Sequence, residues 1–79
     1  MLTVEQIKMA RSALGWSIQK LSEESLVGPR TIKRIESEGL IEKVTPANLK
    51  ILRDTLEAAG VEFIGSAQEG PGVRLWKQP

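Results

Sequence analysis

"WSIQKLSEESLVGPRTIKRIESEG", residues 16–39, carries two helix starts in close succession. Trp16 precedes a capping serine, Ser17, and Leu21 follows four positions after that cap. Val27, Gly28 and Ile32 repeat the arrangement, with Pro29 at the first helical position, where a missing N–H costs nothing. In each case the apolar residue before the cap can pack on the first full turn of the helix, a hydrophobic staple. The stretch therefore predicts two short helices, one from Ser17 to about Ser25 and one that begins after Gly28 and ends near Ser37, with Gly39 just beyond. Only Leu26, Val27 and Gly28 lie between them.

The same grammar occurs twice more. Leu2, Thr3 and Ile7 open a first helix, and Gln6 completes a capping box with Thr3. Ile7, Ala10 and Leu14 line one face of it, and Gly15 suits a left-handed cap. Val44, Thr45 and Leu49, with Pro46, open a last helix that carries Leu49, Leu52, Leu56 and Ala59 and closes at Gly60. After Gly60 the apolar period changes from helical to alternating. "VEFIG" and "VRLWK" flank the turn material "SAQEGPG", which predicts a β-hairpin that must lie on the helices or on a second subunit. The expected fold is mainly α: four helices, with room for a fifth, and a short C-terminal hairpin. Residues 1–60 form the core and 61–79 the hairpin and a candidate dimerisation element.

Composition narrows the chemistry. At 79 residues the chain is one domain at most, 41% apolar and 27% charged, as ordinary globular proteins are. It has no cysteine and no histidine, so disulfides, thiol chemistry and zinc fingers are excluded. No apolar run is long enough for a membrane span, and "MLTVEQIK" lacks a signal-peptide pattern, which gives a cytoplasmic expectation. The carboxylate pairs Glu23–Glu24 and Asp54–Glu57 come with no Gly-rich loop, nucleophile–base pair or metal-ligand set. No catalysis, cofactor, metal or small-molecule ligand is assigned.

Charge is uneven where the total is nearly neutral. The net charge is +1, yet Arg30, Lys33 and Arg34 crowd the start of the third helix. At about 100° per residue these three and Ser37 share one arc, with Ile32 and Ile35 opposite and Thr31 on the flank. The acidic residues Glu23, Glu24, Glu36 and Glu38 fall outside that run, so sign is segregated. Basic residues on an amphipathic helix are usually a solvated face. Here the tight turn before them makes the pair of helices a helix-turn-helix, whose second helix suits the DNA major groove. Arginine is also the residue fitted to bidentate guanine recognition.

On these residues the chain resembles the phage-repressor and Cro family, also called the xenobiotic response element family of bacterial regulators. Residues 3–59 span its usual helical core, helix-turn-helix about 17–37, and "TIKRIESEG" is the most specific part. The tail "LEAAGVEFI…GPGVRLWK" resembles the ending of many small members, which implies a whole protein. The resemblance implies base contacts from Arg30, Lys33 and Arg34, with Pro29 and Thr31 close to the DNA. It implies phosphate contacts from Ser17, Gln19, Lys43, Thr45 and Asn48, although Ser17 and Thr45 are already explained as caps. It also implies a structural ion pair between Arg11 and Glu36. The chain departs from the family pattern at Ile18, where glutamine is usual and Gln19 comes one place later. It departs again at Ser22, where a small alanine is usual, and at Leu26, where the turn favours glycine.

The implied function is sequence-specific binding of double-stranded DNA, as a transcriptional regulator and in the first instance a repressor. One recognition helix, 29–37, reads few base pairs, so a homodimer on an inverted-repeat operator is expected. Phe63, Leu75 and Trp76 are the candidate dimer contacts. Trp16 and Trp76 also suit stacking on bases, although a staple and a hairpin-face anchor account for them. A protein-interaction module, such as an antitoxin or an anti-activator on the same fold, is the alternative. RNA binding is disfavoured, because readers of single strands need exposed aromatics on a sheet and only three aromatics are present.

Overall fold

A computed structural model describes residues 2–39 and 41–76, with Lys43 described by its backbone alone. The elements in order are α1 (Val4–Leu14), α2 (Ile18–Ser25), α3 (Pro29–Glu38), a single 3-10 turn (Ile41–Lys43), α4 (Pro46–Ala58), β1 (Val61–Ile64) and β2 (Gly72–Leu75). Among the described residues the place of a fifth helix is taken by that one 3-10 turn. The mainly α fold with a C-terminal antiparallel hairpin is the one the sequence predicts.

Each helix starts where its cap lies. Thr3 Oγ1 accepts from the Gln6 N–H at 3.1 Å while Gln6 Oε1 accepts from the Thr3 N–H at 3.0 Å, a complete capping box. Ser17 Oγ accepts from the Lys20 N–H at 3.0 Å, and Thr45 Oγ1 from the Asn48 N–H at 3.1 Å. The end of α1 is equally defined. Gly15 sits at φ 68°, and the N–H groups of Gly15 and Trp16 donate back to Ser12 and Arg11 carbonyls, closing the last turn.

The turn between α2 and α3 is built differently from a glycine turn. Leu26 takes the left-handed conformation, φ 63° and ψ 15°, with its side chain 91% exposed. That conformation costs a branched L-residue roughly 1–2 kcal/mol. Two buried hydroxyls hold the turn against this cost. Ser22 Oγ donates to the Val27 carbonyl at 2.7 Å, and Ser25 Oγ donates to the Leu21 carbonyl at 2.7 Å while accepting from the Val27 N–H at 3.2 Å. The Ser22 hydroxyl thus closes the turn with a hydrogen bond of its own.

Ile7, Ala10, Leu21, Ile32, Ile35, Leu52 and Leu56, none of them measurably exposed, form the core together with Leu2, Val27 and Val61. Each buried Leu or Ile contributes about 1.5–3 kcal/mol, so the four helices are fastened mainly through these residues. Trp16, Ile18, Leu49, Phe63 and Val73 pack on the core's edge, half-buried. The hairpin pairs Val61 with Leu75, Glu62 with Arg74, Phe63 with Val73 and Ile64 with Gly72, and it rests on α1 and α4. Gln6, 3% exposed, fixes it there: Nε2 donates to the Ile64 and Gly72 carbonyls, both at 3.1 Å. In the hairpin loop Gly65 is at φ 74°, and a Cβ on it would run into the Gly70 carbonyl oxygen, so only glycine fits. Among the described residues no helix is long and apolar enough to cross a membrane.

Candidate nucleic-acid interface

The outer face of α3 carries three of the four described cationic side chains that stand outside an ion pair. Ile32 and Ile35 are fully buried and fix the rotation of the helix about its axis. Arg30, Lys33, Arg34 and Ser37 are consequently exposed, Pro29 is exposed beside them, and Thr31 is half-buried on the flank. Arg30, Lys33, Arg34 and Ser37 are the residues the sequence places on one arc, with Thr31 on its flank.

Ion pairing separates this strip from the rest of the protein. Lys20 pairs with Glu24 at 3.1 Å, Lys50 with Asp54 at 2.7 Å, Arg53 with Glu57 at 3.1 Å, and Arg74 with Glu62 at 3.1 Å. Arg11 pairs with Glu36. Among the described cationic side chains, only Lys8, Arg30, Lys33 and Arg34 stand outside an ion pair. Glu38 lies four residues after Arg34, the spacing at which Lys20, Lys50 and Arg53 find their acids, yet Arg34 is not paired with it.

The start of α3 adds to this. The other three α-helices have a side chain accepting from the first turn, whereas Gly28 offers none. The first turn of α3 also holds no acidic residue, and Arg30 stands within it. A positive side chain at the positive end of a helix dipole is locally unfavourable, and an anion at that position would relieve it.

The remaining candidates are placed as follows. Ser17 and Thr45 are exposed, and each hydroxyl accepts from its own helix, keeping its proton free to donate to a phosphate. Gln19 is exposed and its Nε2 donates to Glu23 at 3.3 Å, while Asn48 is half-buried. The side chain of Lys43 lies outside the described residues. Phe63 is half-buried on the core, with the Arg53 guanidinium 5.6 Å from its ring centre. Leu75 is 46% and Trp76 57% exposed, on opposite faces of the hairpin, with Trp76 Nε1 donating to Glu62 at 2.9 Å.

Arg11 and Glu36 meet in a two-pronged contact, Nε to Oε2 at 2.8 Å and Nη2 to Oε1 at 2.7 Å, while Arg11 Nη1 donates to the Trp16 carbonyl at 2.8 Å. The hydrogen bonds to Glu36 raise the Arg11 pKa above its ordinary value against the opposing effect of burial. The pair ties the end of α1 and Trp16, the residue before the α2 cap, to the last turn of α3, which sets how the basic face is presented. Two signals were missed from the sequence: the serines that hold the turn and the unpaired Lys8 on α1. The i,i+4 acid partners of the other helices were legible and would have sharpened the contrast with α3.

No family model, curated protein or solved structure matches this chain. A functional reading rests on the geometry of the surface.

Proposed function

We propose that this protein is a sequence-specific binder of double-stranded DNA, acting as a transcriptional regulator through promoter occlusion. α3 enters the major groove, with Arg30, Lys33 and Arg34 on base edges and Pro29 and Thr31 near them. The observation behind this reading is that these three cations are exposed and unpaired, while every other described cation except Lys8 is neutralised within the chain. A merely solubilising surface has no reason to withhold partners from one strip. The uncapped, basic start of α3 supports an anionic ligand in the same place.

One such helix reads too little sequence for a specific site, so two copies act together on an inverted repeat with half-sites about one turn apart. Leu75 and Trp76, exposed on the hairpin, are the apolar residues offered to the second copy. Ser17, Gln19, Thr45 and Asn48 are the candidate phosphate contacts, all uncharged; affinity falls with salt through Arg30, Lys33 and Arg34, at a log–log slope of about −0.9 per phosphate that a cation neutralises.

Selection of bound sequences from a random DNA pool tests this directly. A palindromic motif is expected, and no enrichment would sink the reading in favour of a protein-interaction module. On the selected site, Arg30→Ala and Arg34→Ala should each weaken binding by about 1–3 kcal/mol per half-site with folding retained.

A further inference from the structure

Away from the basic strip, an open cleft of about 730 Å³ lies between the end of α1, the second half of α2 and the last turns of α4. Leu14, Trp16 and Ala58 form its apolar wall, and Glu24, Asp54 and Thr55 are the polar residues on it. No cationic residue lines it. α1 and α4 both end there, at Leu14 and Ala58, and helix C-termini carry partial negative charge. Neither α2 nor α4 has a basic residue in its last turn, and Arg11 in the last turn of α1 is committed to Glu36.

Two of the lining residues, Trp16 and Glu24, already meet an ammonium group from beside the cleft. Lys20 Nζ lies 5.7 Å from the centre of the Trp16 ring and 3.1 Å from Glu24 Oε2. An aromatic face and a carboxylate together are the elements that recognise an organic cation. We infer that this cleft is a binding site for a small organic cation, an ammonium head on an aromatic or alkyl stem. The stem lies against Leu14, Trp16 and Ala58. The head takes the place of the Lys20 ammonium over Trp16, between the carboxylates of Glu24 and Asp54. Lys20 and Lys50 hold those carboxylates only through exposed i,i+4 pairs, which are weak and exchange readily. The site stands independently of the DNA reading, and its test uses no DNA.

The full chain, labelled with nitrogen-15, is titrated with benzyltrimethylammonium while the two tryptophan indole N–H signals are followed by NMR. The Trp16 signal and the amides of Thr55 and Ala58 should shift saturably, with the Trp76 signal, on the hairpin, as the internal control. Benzyl alcohol, which keeps the ring and lacks the charge, should bind at least about tenfold more weakly. Replacing both carboxylates, Glu24→Gln with Asp54→Asn, should weaken the cation at least about fivefold, whereas Lys20→Gln removes the internal competitor and should tighten it. All three are exposed positions, and retained spectral dispersion checks the fold. A shift that never saturates, equal binding of the alcohol, or indifference to the carboxylate substitutions would overturn the proposal. So would a short lysine-containing peptide binding about tenfold more tightly than the aryl ammonium, because the site would then read a protein side chain.

Discussion

Removing Arg11 should be among the costliest single changes outside the apolar core. Arg11→Met leaves the Glu36 carboxylate, whose side chain is only 6% exposed, without either of its two short donors. Breaking a buried pair from one side costs about 3–5 kcal/mol, and the 21% exposure of the Arg11 side chain lets water reach the site, so about 3 kcal/mol is expected. For a chain of this length, total stability is about 4–12 kcal/mol. The variant should therefore fold but melt about 12–24 °C lower. Glu36→Met should cost a similar amount by stranding the guanidinium. The double variant strands neither charge and should be less destabilised than either single one, with a coupling of about 3 kcal/mol or more. Urea unfolding followed by circular dichroism measures all four corners, and an unchanged urea dependence shows that the denatured state has not shifted.

The pH behaviour follows from the raised Arg11 pKa. A cation with a raised folded-state pKa contributes fully below its unfolded value and loses that contribution only as pH rises through the folded one. The gap between the wild-type protein and Arg11→Met should thus be constant between about pH 6 and pH 9. Single variants that add within about 0.5 kcal/mol would refute this account. α3 would then be fixed at that end by Ile35 packing alone.

Three other perturbations probe the turn and the hairpin. Leu26→Gly should stabilise the fold by about 0.5–1 kcal/mol, because relief of the left-handed strain exceeds the entropy cost of glycine; a lower melting temperature would contradict the strain argument. Ser22→Ala removes the donor to the buried Val27 carbonyl and should cost about 1–2 kcal/mol in chemical denaturation. Gln6→Leu takes the donor from two hairpin carbonyls and the acceptor from the Thr3 N–H, at a cost of about 2 kcal/mol or more. Its hydrogen exchange should accelerate in β1 and β2 well before α2 and α3, and uniform exchange would mean that apolar packing holds the hairpin instead.

Starts and stops were the most legible features. Thr3, Ser17, Pro29, Thr45 and Pro46 mark helix starts through contacts that span one turn, and such contacts leave a spacing code in the chain. The buried and exposed faces of α3 followed from the same local periodicity, with the helix ending at Glu38, one residue later than the spacing suggested. The hairpin was visible as a change of period, but what it packs on was not. The exposure of Trp76 was not legible either: an aromatic residue at a strand end has the same sequence signature whether it anchors a core or lies outside on Glu62 and Arg74.

Four helix starts, two alternating C-terminal strands and a helix with three cations opposite two isoleucines are legible in the chain, because each pattern is set by neighbours within four residues. The tertiary structure decided which charges remain available. Whether Arg11 is spent on Glu36, or Arg34 on Glu38, depends on how helices and rotamers settle against one another. It also gave Gln6 a second role as the fastening of the hairpin, since that bond joins residues 58 and 66 positions apart. The cleft beside Trp16 belongs to the same class, formed where the ends of α1 and α4 meet α2. Contacts of that range are set by the packing of the whole core, and no short spacing in the chain encodes them.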